Sequence, residues 1–444
     1  MCKDHDKVTR RDFIKKTAFA TAGAFLVPTI LPTGRLFAAT GTRKANHVVF
    51  CLFAGGVRQL ESIQQADGNM MRYTLNGTQA ISPDIIGGMS TLPTPTGPAL
   101  QTYGTLFKEF RYNAGPTGHV SGHHTAMTGV YNANDLNINL PPTSPTVFEY
   151  YRKHTTPSMS ALNAWWISDS LGPYPSLNFS SDKNYGALYG ANYIQPATLI
   201  SQTVYNVLGN PKMFSPTEKI AVKGIRTILD KNFGKSYSSG DAGVVNASDL
   251  DKAALETYIS SSFNDAISGA YNDPWGVGAS VMNNDMFNLF VAEKVLQQFK
   301  PELLVVNMQG VDVCHFNFTQ YCDNIRKADY ALAHLWNTIQ STPGLMNDTV
   351  LIAVPEHGRN ATPNTVIDPY GRYAIDHTSD AMSREIFCLV LGPSGVVKQN
   401  QVITSVTGES IDVVPTIADV LGFYTDIPSN YQSNMGSPLA QAFF

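Results

Sequence analysis

Four short apolar runs, each ended by glycine or by a cluster of polar residues, constrain the fold of this 444-residue chain more than any other feature. They are Val48–Phe53 and the segments ELLVVNMQG (302–310), TVLIAVPEHG (349–358) and EIFCLVLGP (385–393). Runs of this length are typical of parallel strands that are covered on both faces. Further along the chain, residues 322–340 and 410–422 place apolar side chains at helical spacing. The alternation predicts an α/β fold, in which a mainly parallel central sheet lies between two layers of helices.

Acidic residues and histidines are paired close to the ends of these predicted strands. The pairs are Asp312 with His315, Glu356 with His357, and Asp376 with His377. One histidine after a strand is more often structural, but three acid–histidine pairs at one edge of a sheet favour a shared site. Imidazole nitrogen and carboxylate oxygen together suit several divalent metals. The pattern therefore predicts a site for one or two divalent ions, with zinc as the first candidate and manganese or calcium as alternatives.

The first 39 residues have the features of an export signal. Two adjacent arginines in TRRDFIKK (9–16) precede a mildly apolar run over 17–30 and a small-residue cleavage candidate near Ala38 or Ala39. The order resembles a twin-arginine signal peptide; a basic amphipathic helix with a chance arginine pair is the alternative. We expect a signal peptide over 1–39, a mature domain over 40–444, transport by the twin-arginine machinery, and a periplasmic or secreted location. The apolar run is short for a membrane span, and no stable span is expected in the mature chain.

Composition narrows the partners and the domain organisation. A formal net charge of −4 offers no basic patch for a phosphate backbone, so a nucleic-acid partner is not expected. Residues 131–300 are rich in asparagine, serine and tyrosine and interrupt the alternation, which predicts a cap or insertion. Cys51 and Cys388 lie inside apolar runs and read as buried residues. The spacing of Cys314 and Cys322 leaves open whether they form a disulfide.

The order of the motifs resembles the alkaline phosphatase superfamily, which includes sulfatases, phosphodiesterases and phosphomutases. The shared features are Asp-x-x-His, then Glu-His-Gly-Arg, then an Asp-His pair before an apolar run, then IDVVPTIADVLG; they cover about 46–62 and most of 305–422. The chain is most similar to secreted, sulfatase-like members whose strand ends in EFGR or DHGR. The resemblance implies an alkaline-phosphatase-like three-layer αβα sandwich. It also implies an exported, metal-dependent hydrolase of phosphate or sulfate esters carried by a small molecule or a polymer.

The same resemblance implies which residues bind each metal ion. It assigns Asp312, His315 and His377 to one ion, although the family usually spaces the first two by one residue more. It assigns Glu356 and His357 to the second ion. Members that read DGLR after the first strand use that aspartate as a further ligand. This chain reads GGVR, with Gly55 in its place.

A histidine-rich segment, GPTGHVSGHHTAMTGVY (115–131), bears on this missing ligand. Its end is similar to the segment that follows the nucleophile in the phosphodiesterase branch. Aligning His123 on the family's histidine places His119 at the nucleophile position, flanked by Thr117 and Ser121. Our hypothesis is that His119 or His123 supplies the missing metal ligand, with Ser121 or Thr117 as nucleophile.

The remaining polar residues allow two interpretations. Arg359 and Arg58 follow the strand-end motifs and are candidates to bind anionic oxygens; pairing with a loop carboxylate or carbonyl is the alternative. Asp376 is a candidate to orient a histidine. For His124, a solvent-facing loop position is the alternative to a role in the site. At the level of function, the alternative to a hydrolase is a binding or structural protein that keeps the fold and one metal ion without turnover.

Overall fold

The computed structural model describes residues 40–64, 70–75, 87–132, 140–155, 161–168, 177–196, 248–378 and 380–444. The predicted signal peptide, 1–39, lies outside the described residues. So do large parts of the predicted cap.

One mixed sheet forms the centre of the described structure. Its strands are β1 (His47–Phe53), β2 (Gly104–Arg111), β3 (Ala164–Ile167), β4 (Asn192–Ile194), β5 (Leu303–Met308), β6 (Thr349–Pro355), β7 (Glu385–Leu391) and β8 (Gln401–Glu409). Their order across the sheet is β4-β3-β5-β1-β6-β7-β2-β8. Among these strands only β7 runs antiparallel to its neighbours, β6 and β2. The first strand, β1, pairs in parallel with β5 on one side and β6 on the other.

Helices cover both faces of the sheet. They are α1 (His119–Thr128), α2 (Val147–His154), α3 (Asp249–Ile267), α4 (Asn284–Phe299), α5 (Phe318–Ser341), α6 (Val413–Val420) and the single turn α7 (Ser429–Gln432). Several begin at side chains that satisfy free backbone N–H groups, because the first turn of a helix has no internal acceptor. Thr146 and Glu149 form a capping box at α2, and Asn317 accepts from the backbone of Gln320 at α5.

Successive residues of β1 point into two separate cores. Val49, Cys51 and Phe53 pack with α4 and α5 on one face. The alternate residues, Val48, Phe50 and Leu52, pack with α2 and α6 on the other. All six are fully buried, as the period of two along a strand requires when both faces are covered.

This architecture confirms the predicted three-layer α/β fold with a mainly parallel sheet. The segment 131–300 is not only an insertion, because it also supplies two strands of the central sheet. Strand β3 pairs with β5, and β4 extends the sheet beyond β3. That the segment also caps the site stays a prediction.

Four cysteines of the described chain are free thiols. Cys51 and Cys388 are buried in the strands, as predicted. Cys314 and Cys322 are also buried and are not bonded to each other. Burial raises the pKa of Cys314 to about 12 and that of Cys322 well above its usual value, so neither is a ready thiolate. Separately, none of the described helices combines the length and apolar character needed to cross a membrane.

Candidate metal centre

Histidines and carboxylates from distant parts of the chain meet beyond the carboxyl ends of β5 and β6. A short 3₁₀ helix after β5 (Gly310–His315) carries Asp312 and His315, and the loop after β6 carries Glu356 and His357. The segment before β7 supplies His377, and the first residue of α1 is His119. Parallel strands bring their carboxyl ends to one edge, which is why these residues converge. They form two sets of candidate metal ligands that share His119.

The first set, called here the Asp312 group, consists of His119, Asp312, His315 and His377. Asp312 Oδ1 lies 2.7 Å from His119 Nε2 and 3.3 Å from His315 Nε2. His377 Nε2 lies 2.9 Å from His119 Nε2. All four residues are partly exposed, and 45% of the Asp312 side chain is accessible, so this group opens towards solvent.

Two histidines of the Asp312 group are oriented through their other ring nitrogen. His315 Nδ1–H donates to Asp376 Oδ1 at 2.6 Å, as the sequence suggested for Asp376. His377 Nδ1–H donates to the backbone oxygen of Thr117 at 2.5 Å. Because each neutral imidazole carries a single N–H, both Nε2 atoms then present lone pairs to the site.

The second set, called here the Glu356 group, consists of His119, Glu356 and His357. Glu356 Oε1 lies 2.5 Å from His119 Nδ1 and 3.2 Å from His357 Nε2. The same oxygen accepts the backbone N–H of Gly55 at 2.6 Å. Glu356 and His357 are fully buried, so this group lies deeper than the first.

The Glu356 group passes a simple test for a cation site. His357 Nδ1–H donates to the backbone oxygen of Gly358, which leaves its Nε2 as an acceptor that faces the acceptor Glu356 Oε1. His357 Nε2 is buried and has no hydrogen-bond partner among the described residues. Facing acceptors in a buried site are costly unless a positive group joins them. The donor set therefore fits a divalent metal.

The ionisation states of Glu356 and His377 favour metal binding, and that of His119 shows how the site is balanced without metal. Burial lowers the pKa of His119, but the carboxylates of Glu356 and Asp312 outweigh it and raise that pKa to about 9. Burial raises the pKa of Glu356, yet the neighbouring imidazoles hold it well below its usual value. Burial and the nearby imidazoles lower the pKa of His377 to about 2. Charged carboxylates and the unprotonated His377 are the forms that metal binding needs, whereas His119 releases protons when it binds a metal ion.

Gly55 occupies a position where a side chain has no room. Its φ of +135° is one that residues with a side chain rarely adopt, and an added Cβ would lie 2.6 Å from the backbone nitrogen of Asp312. The aspartate that the resemblance places at this position is incompatible with the local packing. Glu356, one methylene longer than the usual aspartate, instead reaches the N–H of Gly55.

The histidine-rich segment is not a loop. Residues 119–128 form α1, which ends at Gly129 in the left-handed region. Helical spacing of four places His119 and His123 on one face. His123 lies outside both ligand groups: its Nδ1 is 2.5 Å from Glu356 Oε2 with its N–H aimed at the backbone oxygen of His119, and Asn307 contacts its Nε2 at 2.9 Å.

The two candidate nucleophiles, Thr117 and Ser121, differ in their surroundings. The Thr117 hydroxyl donates to the backbone oxygen of Thr378 at 2.7 Å, while its own carbonyl orients His377. The Ser121 hydroxyl is buried and has no hydrogen-bond partner among the described residues. Neither residue belongs to a ligand group.

Arg359 is buried beneath the site, and its N–H groups donate mainly to backbone oxygens. It donates to Gly56 and Ile375 at 3.0 Å, to Val311 at 3.2 Å, and to Gly55, and it also contacts Asp312 Oδ1 at 3.2 Å. This arrangement matches the alternative in which the arginine pairs with carbonyls and a carboxylate.

Arg58 is likewise engaged, in a buried ion pair with Glu61. His124 is buried on α1, and burial lowers its pKa to about 4. The solvent-facing position considered for His124 is therefore wrong, because α1 packs that side of the segment inwards.

Two contributions to the site were missed in the sequence. Asn307 had a signal, since it is a polar residue inside the apolar run of β5, and it lies against His123. The carbonyl of Thr117 had none, because a backbone contact leaves no trace in residue type.

Among known proteins, similarity was found only to solved structures. No family model matches the chain, and no curated protein matches it. The lipoteichoic acid synthase LtaP from Listeria monocytogenes is similar at 11% identity and a TM-score of 0.45, over 94% of this chain and 80% of that one. The phosphonate monoester hydrolase of Agrobacterium radiobacter is similar at 12% identity and a TM-score of 0.41, over 85% and 73%. A protein in the alkaline phosphatase superfamily from Vibrio parahaemolyticus is similar at 14% identity and a TM-score of 0.38, over 94% and 76%.

Proposed function

We propose that this protein is a divalent-metal-dependent hydrolase of phosphate or sulfate esters, and we assign it to the alkaline phosphatase superfamily that its motifs resemble. The observation that carries the proposal is the convergence of the Asp312 and Glu356 groups on His119 at the carboxyl edge of the sheet. Nitrogen and oxygen donors in these proportions suit zinc first, with manganese as an alternative; calcium prefers oxygen and is less suited.

Each part of the site has a role under this proposal. Bound divalent ions supply the positive charge that polarises an ester and stabilises developing negative charge. Asp376 and the Thr117 carbonyl keep His315 and His377 in fixed orientations, since each accepts a ring N–H. The partial exposure of the Asp312 group provides the entry for an anionic ester carried by a small molecule or a polymer.

A binding protein without turnover is the second candidate. It is favoured by the Thr117 hydroxyl, which is engaged with a backbone carbonyl, and by Gly55, which offers no carboxylate. Nucleophilic catalysis needs a group that reaches the reacting atom. The two candidates share metal binding and differ in turnover.

Metal analysis and a substrate panel test the proposal. Purified protein is analysed for bound metal and assayed on aryl phosphate monoesters, aryl phosphate diesters and aryl sulfates with added zinc, manganese or calcium. We expect hydrolysis of at least one class, abolished in His377→Ala and retained in Arg111→Ala, which changes a partly exposed residue outside both ligand groups. A folded, metal-loaded protein that leaves every ester intact supports the binding protein instead, and a protein that takes up no metal contradicts both candidates.

We further propose export by the twin-arginine route to the periplasm or beyond. The support is the adjacent Arg10 and Arg11 ahead of an apolar run. Replacing both arginines with lysine is expected to retain the protein in the cytoplasm, as measured by cell fractionation. Unchanged export of that variant argues against this route.

A further inference from the structure

The ring of His119 lies between the two ligand groups, with one nitrogen in contact with each. Its Nε2 is 2.7 Å from Asp312 Oδ1 and 2.9 Å from His377 Nε2. Its Nδ1 is 2.5 Å from Glu356 Oε1. Because the two nitrogens of an imidazole point in diverging directions, each faces a different group.

The neighbours of His119 present lone pairs on both sides. The carboxylates of Asp312 and Glu356 only accept, and His377 Nε2 is an acceptor because its Nδ1–H donates to Thr117. Without metal, the two carboxylates raise the pKa of His119, and the protonated ring donates one N–H to each side. A divalent cation on each side would take the place of each ring proton, and the cation beside Glu356 would also engage the unpartnered His357 Nε2.

We infer that His119 bridges two divalent metal ions, binding one through Nε2 and the other through Nδ1. One ion is then held with Asp312, His315 and His377, and the other with Glu356 and His357. The inference rests on the proposed function, which takes both groups to be metal sites. It explains how the centre holds two ions without an acid at Gly55.

Zinc titration of chelator-treated protein tests the bridge by comparing variants. Wild type is expected to bind two equivalents. His315→Ala removes a ligand from one ion only and His357→Ala from the other, so each variant should retain one tightly bound equivalent. His119→Ala is expected to weaken both equivalents at least about ten-fold. Release of only one equivalent, or of none, in a folded His119→Ala protein overturns the bridge while leaving the proposed function standing.

Copper provides a second readout that needs no His119 variant. An imidazole ring that has lost both protons couples the spins of two Cu²⁺ ions, so the electron paramagnetic resonance signal of isolated Cu²⁺ should weaken when wild type takes up its second equivalent. The signal should persist in His315→Ala, which binds one ion. Two bound but uncoupled Cu²⁺ ions in wild type overturn the bridge. Failure to bind zinc or copper at all overturns the bridge and the proposed function together.

Discussion

Strands β1 and β6 lie side by side and parallel, yet their carboxyl ends serve the site in opposite ways. The end of β6 supplies the side chains of Glu356 and His357. The end of β1 supplies only backbone from Gly55 and Gly56, and the Gly55 N–H donates to Glu356. A Cβ on Gly56 would lie 2.5 Å from the ring of His357, so Gly56 makes room for a candidate ligand that follows the neighbouring strand. The end of β6 supplies candidate ligand side chains, and the end of β1 supplies backbone that packs closely against them.

The absence of an acid at position 55 has a structural reason. From the sequence alone, Gly55 in place of an aspartate suggests a metal site that has lost a ligand. In the structure, Asp312 packs against Gly55 where a side chain would have to lie, and Arg359 donates to the carbonyls of both glycines. The glycines are therefore integral to the arrangement.

Removing the arginine that joins the two strand ends should have the largest effect. Arg359→Ala leaves several buried carbonyls and Asp312 without their donor, and we expect a loss of about 4 kcal/mol in the free energy of unfolding. Denaturant unfolding measures it. Arg111→Ala, which breaks a partly exposed pair with Glu109, is the control and should cost less than about 1 kcal/mol. Equal effects of the two variants would contradict the joining role of Arg359.

Placing an aspartate at position 55, where the resemblance implies one, should damage the site instead of improving it. Gly55→Asp forces a side chain into a φ of +135° and against the Asp312 backbone, and we expect a loss of about 3 kcal/mol in stability together with weaker zinc binding. Gly97→Asp is the matched control, because nothing lies within 4 Å of a Cβ at that position. If the Gly55→Asp protein had normal stability and bound zinc more tightly, Gly55 would instead mark a lost metal ligand.

The stability of the protein should depend on pH through His119, which contacts Glu356 at the end of β6. In chelator-treated protein, the pKa of His119 is raised from 6.5 to about 9, so its contribution is complete below pH 6.5 and is lost as the pH rises through 9. We expect the free energy of unfolding to fall by on the order of 2 kcal/mol across that window. His119→Gln should flatten the profile. A wild-type profile as flat as that of the variant would show that His119 is not held between two carboxylates.

The smallest effect is expected from replacing Asp376, the carboxylate that orients His315. Asp376→Asn weakens the hold on His315 Nδ1–H and should lower zinc affinity at the Asp312 group about ten-fold, with the Glu356 group unaffected. Zinc titration measures both equivalents. Asp419→Asn, at a long surface ion pair with Lys44, should change neither. A change confined to the Glu356 group would contradict this assignment.

Residue type and order predicted more of the site than of the sheet. Asp312, His315, Glu356, His357 and His377 were proposed from acid–histidine pairs near strand ends, and the structure brings them together around His119. Strand ends can be recognised because apolar runs stop there. By contrast, β8 has no apolar run to signal it, since it is an edge strand with mostly exposed or half-exposed residues.

Packing between distant segments explains what the sequence did not predict. The crowding at Gly55 involves Asp312, and the donors of Arg359 reach carbonyls on other loops. The reversed direction of β7 also depends on its partners, β6 and β2, because a buried antiparallel strand has the same apolar composition as a parallel one. None of these features follows from local pattern.

The pairing of β1 has a consequence for how the chain folds. Both of its neighbours, β5 and β6, begin more than 250 residues later, at Leu303 and Thr349. A newly made β1 therefore has two unpaired edges and two apolar faces until most of the polypeptide has been synthesised, and closing so long a loop is slow. Folding of this protein should be largely post-translational, and its aggregation-prone interval should end only when β5 and β6 flank the first strand.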